Sequence, residues 1–200
     1  MRRGGQGADP GQGRIRQRGG PRPGQGRAVR RAEAGGDTAG VLTTDRLQLQ
    51  FATPDAARAL GHGPGEWRWL GGGPGTGTRE LAGIVVRAAE VGWHRPPWGL
   101  YVAVRQADGL AVGSVGFHGP PATDGSVEVG YDLVPGARGA GYATEAVLAL
   151  VGFAFTHPAV RTVLALTTPD NTASQRVLAR AGFSLDGEEP DRVRRYRVDR

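Results

Sequence analysis

One stretch, Glu128 to Ala146, restricts the fold more than any other part of the chain. It reads Glu128-Val129-Gly130-Tyr131-Asp132-Leu133-Val134-Pro135-Gly136-Ala137-Arg138-Gly139-Ala140-Gly141-Tyr142-Ala143-Thr144-Glu145-Ala146: a strand, a glycine-rich turn, then the start of an apolar helix. A turn of this kind leaves several backbone N–H groups unpaired and aims them, with the positive end of the helix dipole, at one point. That is a seat for an anion, most often phosphate or pyrophosphate. Glycines at 139 and 141 let a ligand approach the backbone without a side chain in the way. The alternative is an ordinary glycine-rich connection between two core elements, because short glycine motifs recur without function.

The rest of the pattern predicts a mixed α/β (α+β) domain. Leu47, Leu49 and Phe51 alternate with polar residues as in a half-buried strand. Thr53 before Pro54 and Asp55 is an N-cap with proline at the first helical position, and that helix ends by Gly61. Gly61 to Thr78 reads as loop, including the run from Gly71 to Thr78, which lacks the lysine and preceding strand of a phosphate loop. A helix follows from Thr78 with Leu81, Ile84, Val85 and Ala88 on one face. Strands over 100–104 and 110–117 flank Ala107-Asp108-Gly109, a hairpin turn signal. A strand over 126–133, a helix over 143–156, a strand over 162–168, a helix over 173–181 closed by Gly182, and strands over 183–185 and 193–198 complete the order.

Two motifs narrow this further. Arg138 to Ala143 fits Arg-x-x-Gly-x-Ala and is followed by Thr144-Glu145-Ala146; some thirty residues on comes Asn171-Thr172-Ala173-Ser174-Gln175-Arg176-Val177-Leu178-Ala179-Arg180-Ala181-Gly182-Phe183. Together, and with Leu42-Thr43-Thr44-Asp45-Arg46-Leu47-Gln48-Leu49 as a first strand, they resemble the GNAT superfamily of N-acetyltransferases, in its ribosomal-protein N-terminal acetyltransferase-like branch. The resemblance spans roughly Val41 to Val198. It implies a mostly antiparallel sheet flanked by helices, with a V-shaped opening for acetyl-CoA. It also implies that Leu133 and Val134 pair through their backbone with the pantetheine arm, and that Arg138, Gly139, Ala140, Gly141, Tyr142 and Ala143 hold the pyrophosphate.

Acetyl transfer to an amine needs a deprotonated nucleophile, a polarised thioester carbonyl and a proton for the departing thiolate. Many members of the family supply that proton from a tyrosine at the position of Leu178; the ribosomal-protein branch uses a serine three residues after the asparagine, which is Ser174 here. Ser174 is otherwise a helix-start serine satisfied by backbone. Asn171 is expected to contact cofactor, to cap the helix, or both. Glu128 is the candidate base, facing the same side as Gly130, or else a hydrogen-bonded carboxylate on the strand rim. Glu189 and Asp191 are looser candidates. Glu145, in the first turn of its helix, is structural. Trp93 and Trp98 bracket Pro96-Pro97 and either wall an acceptor pocket or pack. His62, His94, His118 and His157 have no metal-ligand spacing, and no metal is expected.

The formal charge of +6 belongs to the first 40 residues, where nine arginines face three acids; the remainder is neutral. The expected organisation is therefore a disordered Gly/Arg-rich tail over 1–40 and an N-acetyltransferase domain over 41–200. Without interleaved aromatics to stack on bases, nucleic acid is not expected as a partner except through that tail. There is no cysteine, which excludes disulfides and a cysteine nucleophile. The longest apolar stretch, Ala146 to Phe155, is too short to span a bilayer, so a soluble, cytoplasmic monomer or homodimer without a membrane partner is expected. The expected activity moves acetyl from acetyl-CoA to a primary amine, on a peptide N-terminus or a small molecule. The alternative is an acyl-CoA-binding regulatory or interaction domain without turnover.

Overall fold

The computed structural model describes residues 30–31, 40–188 and 190–200. The expected disordered tail and Glu189 thus lie, except for 30–31 and 40, outside the described residues. In chain order the elements are β1 (Arg30–Arg31), β2 (Leu42–Thr43), β3 (Leu47–Phe51), α1 (Pro54–His62), α2 (Thr76–Glu90), β4 (Leu100–Arg105) and β5 (Ala111–Phe117). Then come β6 (Ser126–Leu133), α3 (Tyr142–Phe155), β7 (Thr162–Thr167), α4 (Thr172–Arg180), β8 (Ser184–Glu188) and β9 (Arg194–Asp199). The strands form one sheet in the order β1-β2-β3-β4-β5-β6-β7-β9-β8. Every pairing is antiparallel except β6 with β7.

That parallel pairing is short. It joins Ser126, Val127 and Glu128 to Thr162, Val163 and Leu164, and beyond Glu128 the two strands part. Residues 129–133 of β6 stay paired to β5 on one edge, through registers such as Gly116↔Gly130 and Gly113↔Leu133, and among the described residues have no strand on the other. This is the V-shaped opening expected from the resemblance.

Helices cover both faces. Gly116 faces Leu81 of α2, while its neighbour Phe117 faces Phe153 of α3 at a ring-centroid distance of 6.4 Å. Strand alternation therefore separates the α1–α2 side from the α3 side. Thr53 caps α1 by accepting from the Ala56 N–H at 3.2 Å, and Leu60 and Ala57 form its buried stripe. In α3, Val147, Leu150, Val151 and Phe153 are all buried, each contributing roughly 1.5–3 kcal/mol of transfer free energy. Their all-round distribution matches a helix lying between sheet and α4.

The stretch after α1 differs from the loop expected there. Trp67 and Trp69 are buried, their indole N–H groups donating to Gln50 Oε1 and to the Pro64 carbonyl, both at 2.8 Å, and Trp69 bridges to Ala111. Helix α2 begins at Thr76, two residues before the expected start. The reason lies in β6: Asp132 accepts from the Thr78 N–H at 3.1 Å, so a protein carboxylate occupies the positive end of α2. A Cβ at Gly75 or Gly77 would collide with that carboxylate, which explains the glycines. No described helix is long and apolar enough to cross a membrane.

Candidate active site

The glycine turn is built by its backbone. Gly139 (φ 81°) and Gly141 (φ 84°) are left-handed, and Gly141 is the N-cap of α3 with no side chain serving the cap. The first N–H groups of α3 therefore have no side-chain acceptor there. From the far side the turn is held by Arg46. Its Nη1 donates to the Ala140 carbonyl at 2.9 Å, and its guanidinium lies 4.7 Å from the Tyr142 ring centroid. Arg46 is in turn fixed by Glu145, which accepts from Arg46 Nε at 2.7 Å, from the Arg46 backbone N–H at 2.8 Å and from Thr44 Oγ1 at 2.5 Å. Burial pushes the Glu145 carboxyl up, but these hydrogen bonds and the Arg46 charge outweigh it and hold it below the ordinary range. Glu145 is structural, as expected, through these contacts as well as through the helix dipole.

From this turn a cleft of about 560 Å³ runs along the strand-free edge of β6 to α4. It brings together Leu133, Arg138, Gly139, Gly141, Ala143, Asn171 and Ser174 of the expected site, with Tyr131, Arg176 and Arg180. Val134 is buried and donates its N–H to Val112 at 3.1 Å; Ala140 and Tyr142 belong to the turn but not to the cleft lining. Arg138 is exposed and folded back, Nε donating to the Leu133 carbonyl at 3.0 Å and Nη2 standing 4.0 Å from Asp132. Asn171 caps α4 by accepting from the Ser174 N–H at 3.0 Å while also lining the cleft.

Ser174 has a partner that sequence spacing did not reveal. Its Oγ is 2.7 Å from the Tyr131 hydroxyl, either being able to donate, and Tyr131 also donates to the Ser174 carbonyl at 3.2 Å. Burial pushes the Tyr131 phenol above its ordinary value against the opposing effect of Ser174, so it stays protonated at neutral pH and can donate. The Ser174 hydroxyl is thus backed by a tyrosine from β6.

Glu128 lies on the opposite, α2-facing side of the sheet, with Gly130 and Asp132. Its Oε1 is 2.7 Å from His118 Nδ1, and the two side chains are each about one-third exposed (33% and 32%). His118 follows β5 and donates its backbone N–H to the Glu128 carbonyl at 3.0 Å, which sets the two side chains abreast. A Cβ on Gly130 would come within 2.7 Å of His118 Nε2, so the imidazole edge lies over that glycine. Beside it a cavity of about 220 Å³ is lined by Ile84, Val85 and Ala88 of α2, by Trp93, His94, Arg95 and Trp98, and by Phe117 to Pro120. Trp98 packs edge-on to Phe117 at 4.9 Å, whereas Trp93 is 74% exposed. Burial, and then Arg95, lower the His94 pKa. Asp191 stands in a separate turn between β8 and β9 with a φ of 64°. Among the described residues no group of three or more His, Cys, Asp or Glu could hold a metal.

These features can be set against known proteins. A family model described as acetyltransferase (GNAT) domain matches residues 46–184. The uncharacterized N-acetyltransferase YjdG of Bacillus subtilis (strain 168) is 31% identical over 86 residues, covering 43% of this chain and 51% of that protein. The chain thus spans about half the length of the curated relatives it matches. Among solved structures, the acetyltransferase from Agrobacterium tumefaciens str. C58 aligns with a TM-score of 0.58 at 25% identity, over 84% of this chain and 99% of that one. RimL, a ribosomal L7/L12 alpha-N-protein acetyltransferase in complex with coenzyme A, aligns at 0.57 and 19% identity, over 78% and 95%. That neighbour stands in the branch the sequence resembles. The cleft beside β6, the glycine turn that opens α3 and the match over 46–184 agree, and the chain belongs to the GNAT acetyltransferase family.

Proposed function

We propose that this chain is an acetyl-CoA-dependent N-acetyltransferase that moves the acetyl group to a primary amine by direct attack. The observation that carries this is the cleft along the strand-free edge of β6, with an anion seat at one end and a paired hydroxyl donor at the other. The N–H groups around Gly139, Ala140, Gly141, Tyr142 and Ala143 suit the pyrophosphate. Arg138 adds a charge once it turns away from Leu133. Leu133, which lines the cleft, and the buried Val134 after it then form the segment that runs beside the pantetheine arm, and Asn171 meets it from α4. Ser174, hydrogen-bonded to Tyr131, protonates the leaving thiolate. The acceptor enters from the opposite face, where Glu128 and His118 stand beside the cavity walled by Trp98 and α2.

Such a cavity takes a side group of modest size and apolar character, as on the first residues of a peptide or on a small amine. The test is thiol release from acetyl-CoA across a library of amines and N-terminal peptides, with acetyl-CoA binding measured in parallel. Transfer to at least one amine is expected. Tight acetyl-CoA binding with no transfer to any amine would replace the enzyme by an acyl-CoA-binding interaction domain.

A further inference from the structure

The notable feature of the acceptor face is that the carboxylate of Glu128 is already engaged. Its Oε1 meets His118 Nδ1 at 2.7 Å, which leaves the other ring nitrogen as the unsatisfied basic atom of the pair. That atom, Nε2, points over Gly130, whose missing side chain makes room for it. Gly130 is the second residue of β6 beyond the last rung shared with β7, so Nε2 stands where the sheet opens. A carboxylate on Nδ1–H fixes the tautomer in which Nε2 carries the lone pair. The ring is one-third exposed and borders the acceptor cavity, so an amine can reach it.

Resting on the transferase function proposed above, we propose that His118, oriented by Glu128, takes the acceptor's proton. Glu128 is then a positioning residue. Of the three protons on the acceptor ammonium, one passes to His118 Nε2 and on to solvent. The freed lone pair forms the C–N bond with the thioester carbonyl carbon, and the C–S bond breaks with its electron pair leaving on sulfur. A second nitrogen proton is released as the amide forms, balancing the one that sulfur receives from the Ser174–Tyr131 pair, and the third stays in the amide. The other titratable and charged groups lining the cavity are His94 and Arg95; α2 presents only Ile84, Val85 and Ala88. His94 is half-buried, and its buried Nε2 has no hydrogen-bond partner in the structure.

The experiment compares wild type, His118→Gln and Glu128→Gln on one acceptor that the wild type acetylates, with kcat, kcat/KM across pH, acetyl-CoA Kd and thermal unfolding. His118→Gln is expected to lower kcat about 10²–10⁴-fold, to abolish the acidic limb of the pH–rate profile and to leave acetyl-CoA Kd unchanged. Glu128→Gln keeps that limb, with a smaller loss of kcat because the imidazole is still present but no longer held in place. Added imidazole is expected to restore part of the rate to His118→Ala, whose cavity lies open to it. If instead a folded His118→Gln keeps its kcat and acidic limb while Glu128→Gln loses both, Glu128 is the base and the proposal is wrong while the transferase stands. A wild type that binds acetyl-CoA but acetylates no amine overturns both.

Discussion

Removing Glu145 tests whether the glycine turn depends on a brace from the other end of the chain. Its carboxylate holds Thr44 Oγ1 and the Arg46 N–H and Nε, and Nη2 of the same arginine lies 2.7 Å from Oε2. The Glu145 side chain is 17% exposed but that of Arg46 is 48% exposed, so the ion pair itself is heavily screened and contributes at most about 1 kcal/mol. The remaining hydrogen bonds to a charged acceptor add about 1–2 kcal/mol, because Arg46 and Thr44 regain water when Glu145 is lost. Glu145→Ala should therefore cost about 1–3 kcal/mol, which for a chain of this size lowers Tm by roughly 2–12 °C. Arg46 also holds the Ala140 carbonyl, so loosening it should weaken acetyl-CoA binding as well. The sign with pH follows from the lowered Glu145 pKa. A depressed folded-state value stabilises the fold above the ordinary value of 4.5 and loses that contribution as pH falls through the folded value, so the Tm gap between wild type and variant narrows in acid. Thermal unfolding from neutral to acid pH and calorimetric titration with acetyl-CoA measure both effects. A Glu145→Ala protein with wild-type Tm and wild-type acetyl-CoA affinity at neutral pH would refute the brace.

Two further outcomes are expected. Gly141→Asp forces a side chain into a left-handed position at a cost of roughly 1–2 kcal/mol and puts a carboxylate at the anion seat; a folded variant with unchanged acetyl-CoA affinity would remove the turn from the cofactor site. Ser174→Ala should lower kcat about 10²–10⁴-fold with acetyl-CoA affinity nearly intact. A smaller loss, deepened when Tyr131→Phe is added, would show that the Tyr131 hydroxyl reaches the thiolate through the vacated space.

Much of the fold was legible because its signals are local. Thr53-Pro54, Ala107-Asp108-Gly109 and Gly182 mark ends and turns by backbone chemistry, and the elements they bound fall within a few residues of expectation. The cleft lining was largely legible too, since Arg138 to Ala143 and Asn171 to Ser174 are contiguous motifs. What escaped were pairings between distant residues. Arg46 and Glu145 are separated by 99 positions, Tyr131 and Ser174 by 43, and no periodicity joins them. Asp132 looks like an ordinary strand residue until α2 lays its first turn on it, which is why Gly71 to Thr78 read as a loop. His118 carried no signal beyond its lack of metal-ligand spacing, because only the register of β5 with β6 sets it abreast of Glu128.

The three-rung contact between β6 and β7 also makes the sheet mechanically uneven. β7, β9 and β8 form an antiparallel ribbon of their own, with six rungs between β7 and β9, joined through the sheet to the larger half by Ser126, Val127 and Glu128 alone. Sub-global opening favours seams with few cooperative contacts, and this is the short seam that borders the cleft. A molecule seated along β6 and touching α4 would act there as a missing strand, tying ribbon to body and slowing that opening. On the proposed function, the co-substrate would be a structural member for as long as it is bound, and each turnover would return the sheet to its looser state.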